Sequence, residues 1–144
     1  MAKVERFEDL VAWQKARQLR KDIFAMTRAE SMRREFDYKN QTKRAAISIM
    51  SNVAEGFERG GRAEFAQFLS TAKASCAEVR SLLYVALDED YINEASFKRL
   101  SGQAEEVARV IGGLRSAVVR QRDAQRGKPS LSPQSSNLTT GESP

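Results

Sequence analysis

Apolar residues recur at three- and four-residue steps in four separate stretches of the chain, the pattern of amphipathic helices that each bury one face. In the first, Ala12, Ala16, Leu19, Ile23 and Met26 predict a helix over 7–28, with Glu8 and Asp9 in its first turn, where negative charge suits the helix dipole. In the second, Ala46, Ile47, Met50, Val53, Ala54 and Phe57 predict a helix over 38–58. Asp37 is placed to cap its start and Gly60-Gly61 to end it. The third, over 62–87, carries Phe65, Phe68, Leu69, Ala72, Cys76, Val79, Leu83 and Ala86 on one face. The fourth repeats Phe97, Leu100, Ala104, Val107, Ile111, Leu114 and Val118, the alternation of a bundle seam. Asn93 is its expected N-cap, with Ile92 and Phe97 as a hydrophobic staple. Gly112-Gly113 disfavours the helix locally, so close packing or fraying is expected there. No strand-period segment, internal repeat or Gly-rich phosphate loop is visible. The pattern predicts an all-α fold, an antiparallel up-down four-helix bundle with short loops.

A second stripe sets the 38–58 helix apart. Gln41, Arg44, Ser48, Asn52, Glu55 and Arg59 share a face in which small polar side chains alternate with charged ones. A matching row, Glu64, Thr71, Ser75 and Glu78, runs along the third helix. Together they predict a structural polar seam between helices, built on Arg44, Ser48, Asn52, Glu55, Glu64 and Glu78. The same carboxylates raise the possibility of a metal or acid–base site. Di-iron bundles, however, pair Glu with Glu-x-x-His motifs, and this chain has no histidine. With Arg44 in the row of Glu55, ion pairing is the expected role. No catalytic residue, metal or cofactor is expected, and the protein is read as a non-enzyme.

Composition adds a soluble, basic character. Hydrophobic residues make up 41% of the 144 and charged residues 30%. No apolar run approaches the ~20 residues of a membrane span, and the opening Met-Ala-Lys-Val-Glu-Arg lacks the apolar core of a secretory signal. A cytoplasmic protein with no membrane association is expected. Cys76, the single cysteine, is expected in the core. The net charge of +5 is unevenly spread: residues 1–44 carry 12 Lys/Arg against 7 Asp/Glu, residues 45–90 carry 4 against 7, and residues 91–128 carry 8 against 4. Two basic groups are candidates for phosphate contact, Arg17, Arg20, Lys21 and Arg28 on the first helix, and Arg120, Arg122, Arg126 and Lys128 near the end of the fourth. Trp13, isolated from other aromatics, is read as a packing anchor. Residues 1–126 form the bundle domain in this reading, and 127–144, rich in Ser, Thr, Gly and Pro, a disordered tail.

The run containing Gln41, Arg44, Ala45, Ala46, Ser48, Ile49, Asn52, Val53, Ala54, Glu55 and Gly56 resembles the signature of the 23S rRNA intervening-sequence protein family, Gln-x-x-Arg-Ala-Ala-x-Ser-Ile-Pro-x-Asn-Ile-Ala-Glu-Gly. The resemblance spans about residues 5–120. It includes Phe7, Asp9, Leu10, Trp13, Lys15 and Ala16 at the start, and Glu64, Phe65, Phe68, Leu69, Ala72, Ser75 and Glu78 on the third helix. The chain departs from the family where Glu30-Ser31 replaces Phe-Pro, leaving the first helix free to run on or end less sharply. Met50 replaces a proline and Asp90 a glycine. The resemblance implies a homopentameric ring. It also extends to the related accessory proteins of diversity-generating retroelements, which implies nucleic acid, RNA or DNA, and a reverse transcriptase as partners. The alternative it leaves is an oligomeric protein-interaction scaffold with no nucleic-acid role.

Overall fold

The computed structural model describes residues 3–126 as α1 (Val11–Thr27), α2 (Phe36–Arg59), α3 (Arg62–Asp88) and α4 (Glu94–Arg126), with 3-10 turns at Phe7–Asp9 and Glu30–Met32. Among the described residues there is no strand. α1 packs on α2 and α4, and α3 packs on the same two, so the helices stand as the corners of a square around one core. Contacts between neighbours run in opposite senses along each pair. Tyr38 meets Leu82 and Ser48 meets Ser75 between α2 and α3; Arg80 meets Glu105 and Arg115 meets Ala66 between α3 and α4. This is an antiparallel four-helix bundle. The predicted tail, 127–144, lies outside the described residues.

The core forms where the three-four patterns converge. Leu19, Ile23, Ile49, Leu69, Leu83, Leu100 and Ile111 have no solvent exposure. The apolar rows expected on the third and fourth helices face inward as predicted. That of the second helix is displaced: Ile47 points out, 42% exposed, while Ala45, Ile49 and Gly56 are buried beside Ala46 and Val53. The cause is that α2 lies more closely against α3 than against α1, so its buried stripe is turned toward α3. Gly56 belongs to that contact. A Cβ there would lie 2.6 Å from the Phe68 Cβ, so the absence of a side chain sets how closely α2 and α3 approach.

Several helix ends differ from expectation. α1 starts at Val11 rather than Phe7, because Leu10 is extended (ψ 128°) and buried, and Glu8 and Asp9 belong to the preceding 3-10 turn. α2 begins at Phe36 with Glu35 at the cap position, so Asp37 sits inside the first turn and does not cap the helix. Although the proline is missing, α1 ends at Thr27; the following 3-10 turn drives Met32 fully into the core, and that burial stops the helix from running on. Other ends match. Gly60 takes the left-handed conformation (φ 86°) at the end of α2. The Asn93 side chain accepts the Ser96 N–H at 2.8 Å, capping α4. Asp90, standing where the family pattern has glycine, is itself left-handed (φ 59°). Around it the Tyr91 N–H donates to the Ala86 carbonyl and the Asp90 N–H to the Leu87 carbonyl, the paired bonds of a Schellman motif closing α3.

Candidate nucleic-acid interface and polar seam

The seam exists and is narrower than its residue pattern. The Ser48 and Ser75 hydroxyls are 2.8 Å apart across the α2–α3 contact, and the Asn52 amide donates to both the Ser48 carbonyl (2.8 Å) and the Ser48 Oγ (3.0 Å). The Ser48 Oγ, accepting from Asn52, keeps both a proton and a lone pair, so either serine hydroxyl can donate to the other. This satisfies three partly buried polar groups where the helices come together. The charged members lie outside it: Arg44, Glu55, Glu64 and Glu78 are exposed on the protomer. Arg44 and Glu55 share a face but stand eleven residues apart, about 16 Å at 1.5 Å per residue, too far to pair. Among the described residues the ion pair at this seam joins Arg59 and Glu64 at 3.8 Å, with the Arg59 guanidinium 5.0 Å from the Phe68 ring centre.

The basic residues separate into distinct places. Arg17 and Lys21 are exposed one turn apart on α1, beside a surface recess of about 720 Å³ that Trp13, Gln14 and Gln18 also line. Trp13 packs edge-on against Phe7 at 5.2 Å, anchoring the chain start, and Arg17 sits 5.6 Å from its ring centre. Arg20 is partly buried against Phe24 (4.9 Å), with Lys43 of α2 on the same ring at 5.3 Å. Arg28 is exposed at the far end of α1. On α4, Arg120 and Arg126 are exposed, Arg122 pairs with Asp123 at 3.3 Å, and Lys128 lies outside the described residues.

These groups do not form one patch on a protomer. Lys15 approaches Glu106 at 4.0 Å, which shows the register of α1 against α4. Arg17 is therefore level with about residue 104, roughly 24 Å along the axis from Arg120. Periodicity placed each cation on its helix, while the separation needed the α1–α4 register. Lys43 was missed as the companion of Arg20, since nothing in either helix alone brings them to one ring. Lys98 and Arg109 were also missed, although the eleven-residue steps from Lys98 to Arg109 and from Arg109 to Arg120 were legible as one face of α4.

No other chemistry emerges among the described residues. No group of three His, Cys, Asp or Glu side chains is placed to hold a metal ion, and no helix is long and apolar enough to cross a membrane. Cys76 is fully buried, and burial pushes its thiol up to about 12.

The comparisons agree with the signature on α2. No curated protein matches the chain. The family model described as 23S rRNA-intervening sequence protein matches residues 8–113, from the first 3-10 turn into the second half of α4. That span takes in α1, α2 and α3 whole, together with the seam and the Asn93 cap, and the chain belongs to the 23S rRNA-intervening sequence protein family.

Proposed function

We propose that the protein is a non-enzymatic, cytoplasmic accessory that assembles as a homopentameric ring and binds nucleic acid through phosphate contacts. The observation that carries this reading is the α1 recess, where Arg17 and Lys21 are exposed on one face and are flanked by the amide side chains of Gln14 and Gln18. Cations so placed bind the sugar–phosphate backbone without selecting a base sequence. Among the two groups first considered, α1 is favoured over the end of α4, because Arg122 is already paired with Asp123. Resemblance to the accessory proteins of diversity-generating retroelements supports a reverse transcriptase and its RNA as the partners.

Filter binding of structured RNA and duplex DNA at low and moderate salt tests the reading. Affinity is expected to fall steeply with salt. Arg17→Ala with Lys21→Ala is expected to weaken binding for all sequences alike and to reduce the salt slope by about 1 per phosphate contact removed. Binding that is absent or insensitive to salt leaves the alternative, a protein-interaction scaffold. That second reading draws on the exposed apolar side chains of α2 and α3, Ile47, Tyr84 and Val85.

A further inference from the structure

The two ends of the bundle are closed differently, and the residues of the turns are the reason. Where α1 passes to α2, large side chains fill the space between the helices: Met32 has no solvent exposure, and Tyr38 packs on Tyr91 with ring centres 5.3 Å apart. At the opposite end α2 passes to α3 through Gly60-Gly61, which has no side chain to fill it. A Cβ at Gly60 would meet nothing within 4 Å. The result is a cavity of about 840 Å³ that both glycines and the short Ala117 of α4 line. Its walls are apolar. Phe57 and Phe65 meet edge-on there at 5.9 Å, and buried Leu10 and Val118 stand beside them.

Close-packed interiors leave few spaces larger than a water molecule, whereas ligand pockets of roughly 300–1,000 Å³ are mostly apolar with a few polar groups that orient the ligand. The charged groups of this cavity are of one sign. Arg62 gives its Nε proton to the Gln121 side chain at 3.3 Å, and Lys3 is the second cation; no carboxylate lines the space. Among the described residues neither cation forms an ion pair. Glu64 flanks Gly61 at the rim but is drawn to Arg59 at 3.8 Å. The cavity thus suits a molecule with a hydrocarbon body and an anionic head. Its walls are turned inward, and Val4 is the one large apolar lining residue that is exposed, at 37%. A chain can enter the protein here, while the protein offers a bilayer little to insert.

We infer that this end of the bundle binds a free single-chain fatty acid, its hydrocarbon among Phe57, Phe65 and Val118 and its carboxylate at Arg62 and Lys3. This site is separate from the α1 recess and stands or falls independently of nucleic-acid binding.

Calorimetric titration of the full chain with octanoate, decanoate and dodecanoate, each below its micelle concentration, tests it. One acid is expected to bind per chain, about tenfold more tightly at each lengthening by two methylenes. Arg62→Gln, at an exposed position, is expected to weaken decanoate binding about tenfold and to leave uptake of decanol unchanged. Ala117→Phe, which fills the cavity without changing charge, is expected to abolish binding of both while the chain stays helical by circular dichroism. Should that variant unfold, the chain-length series and Arg62→Gln still decide. Absence of saturable uptake by the full chain overturns the assignment, as expected if its own end or a second copy occupies the space. So does undiminished binding by folded Ala117→Phe, or decanoate affinity that ignores Arg62. Binding to anionic vesicles without binding of the monomeric acids would overturn it in favour of a membrane surface.

Discussion

At the scale of single residues, small side chains carry more of the packing than the large ones suggest. Gly56 is the clearest case. Gly56→Ala forces a methyl toward the Phe68 Cβ and is expected to destabilise the protein by about 1–3 kcal/mol, read as a lower melting temperature, despite alanine's better helix propensity. Asp90 works in the other direction, holding a left-handed backbone that glycine adopts without steric penalty. Asp90→Gly is expected to stabilise by up to about 1 kcal/mol in urea unfolding. Cys76 gives a pH dependence. Its thiol ionises near 9.0 when unconstrained and at about 12 in the fold. The buried protonated form therefore contributes stability that is complete below the unfolded value and lost as pH rises toward the folded one. Denaturant unfolding between about pH 8 and 10.5 is expected to show a steeper loss for the wild type than for Cys76→Ala. The seam cluster and the thiol were both legible in the residue pattern. The left-handed backbone at Asp90 was hinted at only by the glycine it replaces.

At the scale of elements, the legible parts were those in which one helix meets its neighbours along one row. α3 and α4 met that condition, and their buried rows fall where the spacing put them. α2 did not: it lies closer to α3 than to α1, its buried row Ala45, Ile49 and Gly56 is turned that way, and Ile47 ended outside. Helix ends followed the same division. Asn93 caps α4 through a local bond, and Asn93→Ala is expected to cost about 1 kcal/mol. Leu10 and Met32 delimit α1 through burial, which no local signal announces. The α2–α3 junction adds the Ser48–Ser75 hydrogen bond. Ser75→Ala is expected to cost about 1 kcal/mol in thermal unfolding while leaving the helix content unchanged.

At the scale of the molecule, the charges that looked like one seam are spread over separate surfaces, and the two basic groups stand far apart. Exposed Arg44 and Glu55 contribute little to the protomer. Arg44→Ala and Glu55→Ala are each expected to change its stability by less than about 0.5 kcal/mol, with any larger consequence appearing in assembly size by light scattering. A drop in protomer melting temperature well beyond that range would contradict the exposed placement of these side chains.

Sequence alone determined the helix count, the inward rows of α3 and α4, the seam serines with Asn52, and the family signature, because each is written in local spacing at the helical period. Only the tertiary structure decided which way α2 turned, where α1 begins, and which charges could reach one another. Those depend on the register and facing of helices distant in sequence. The eleven-residue step from Arg44 to Glu55 turned a suspected ion-pair network into separate charges, and the roughly 24 Å between Arg17 and Arg120 keeps the two basic groups on separate surfaces.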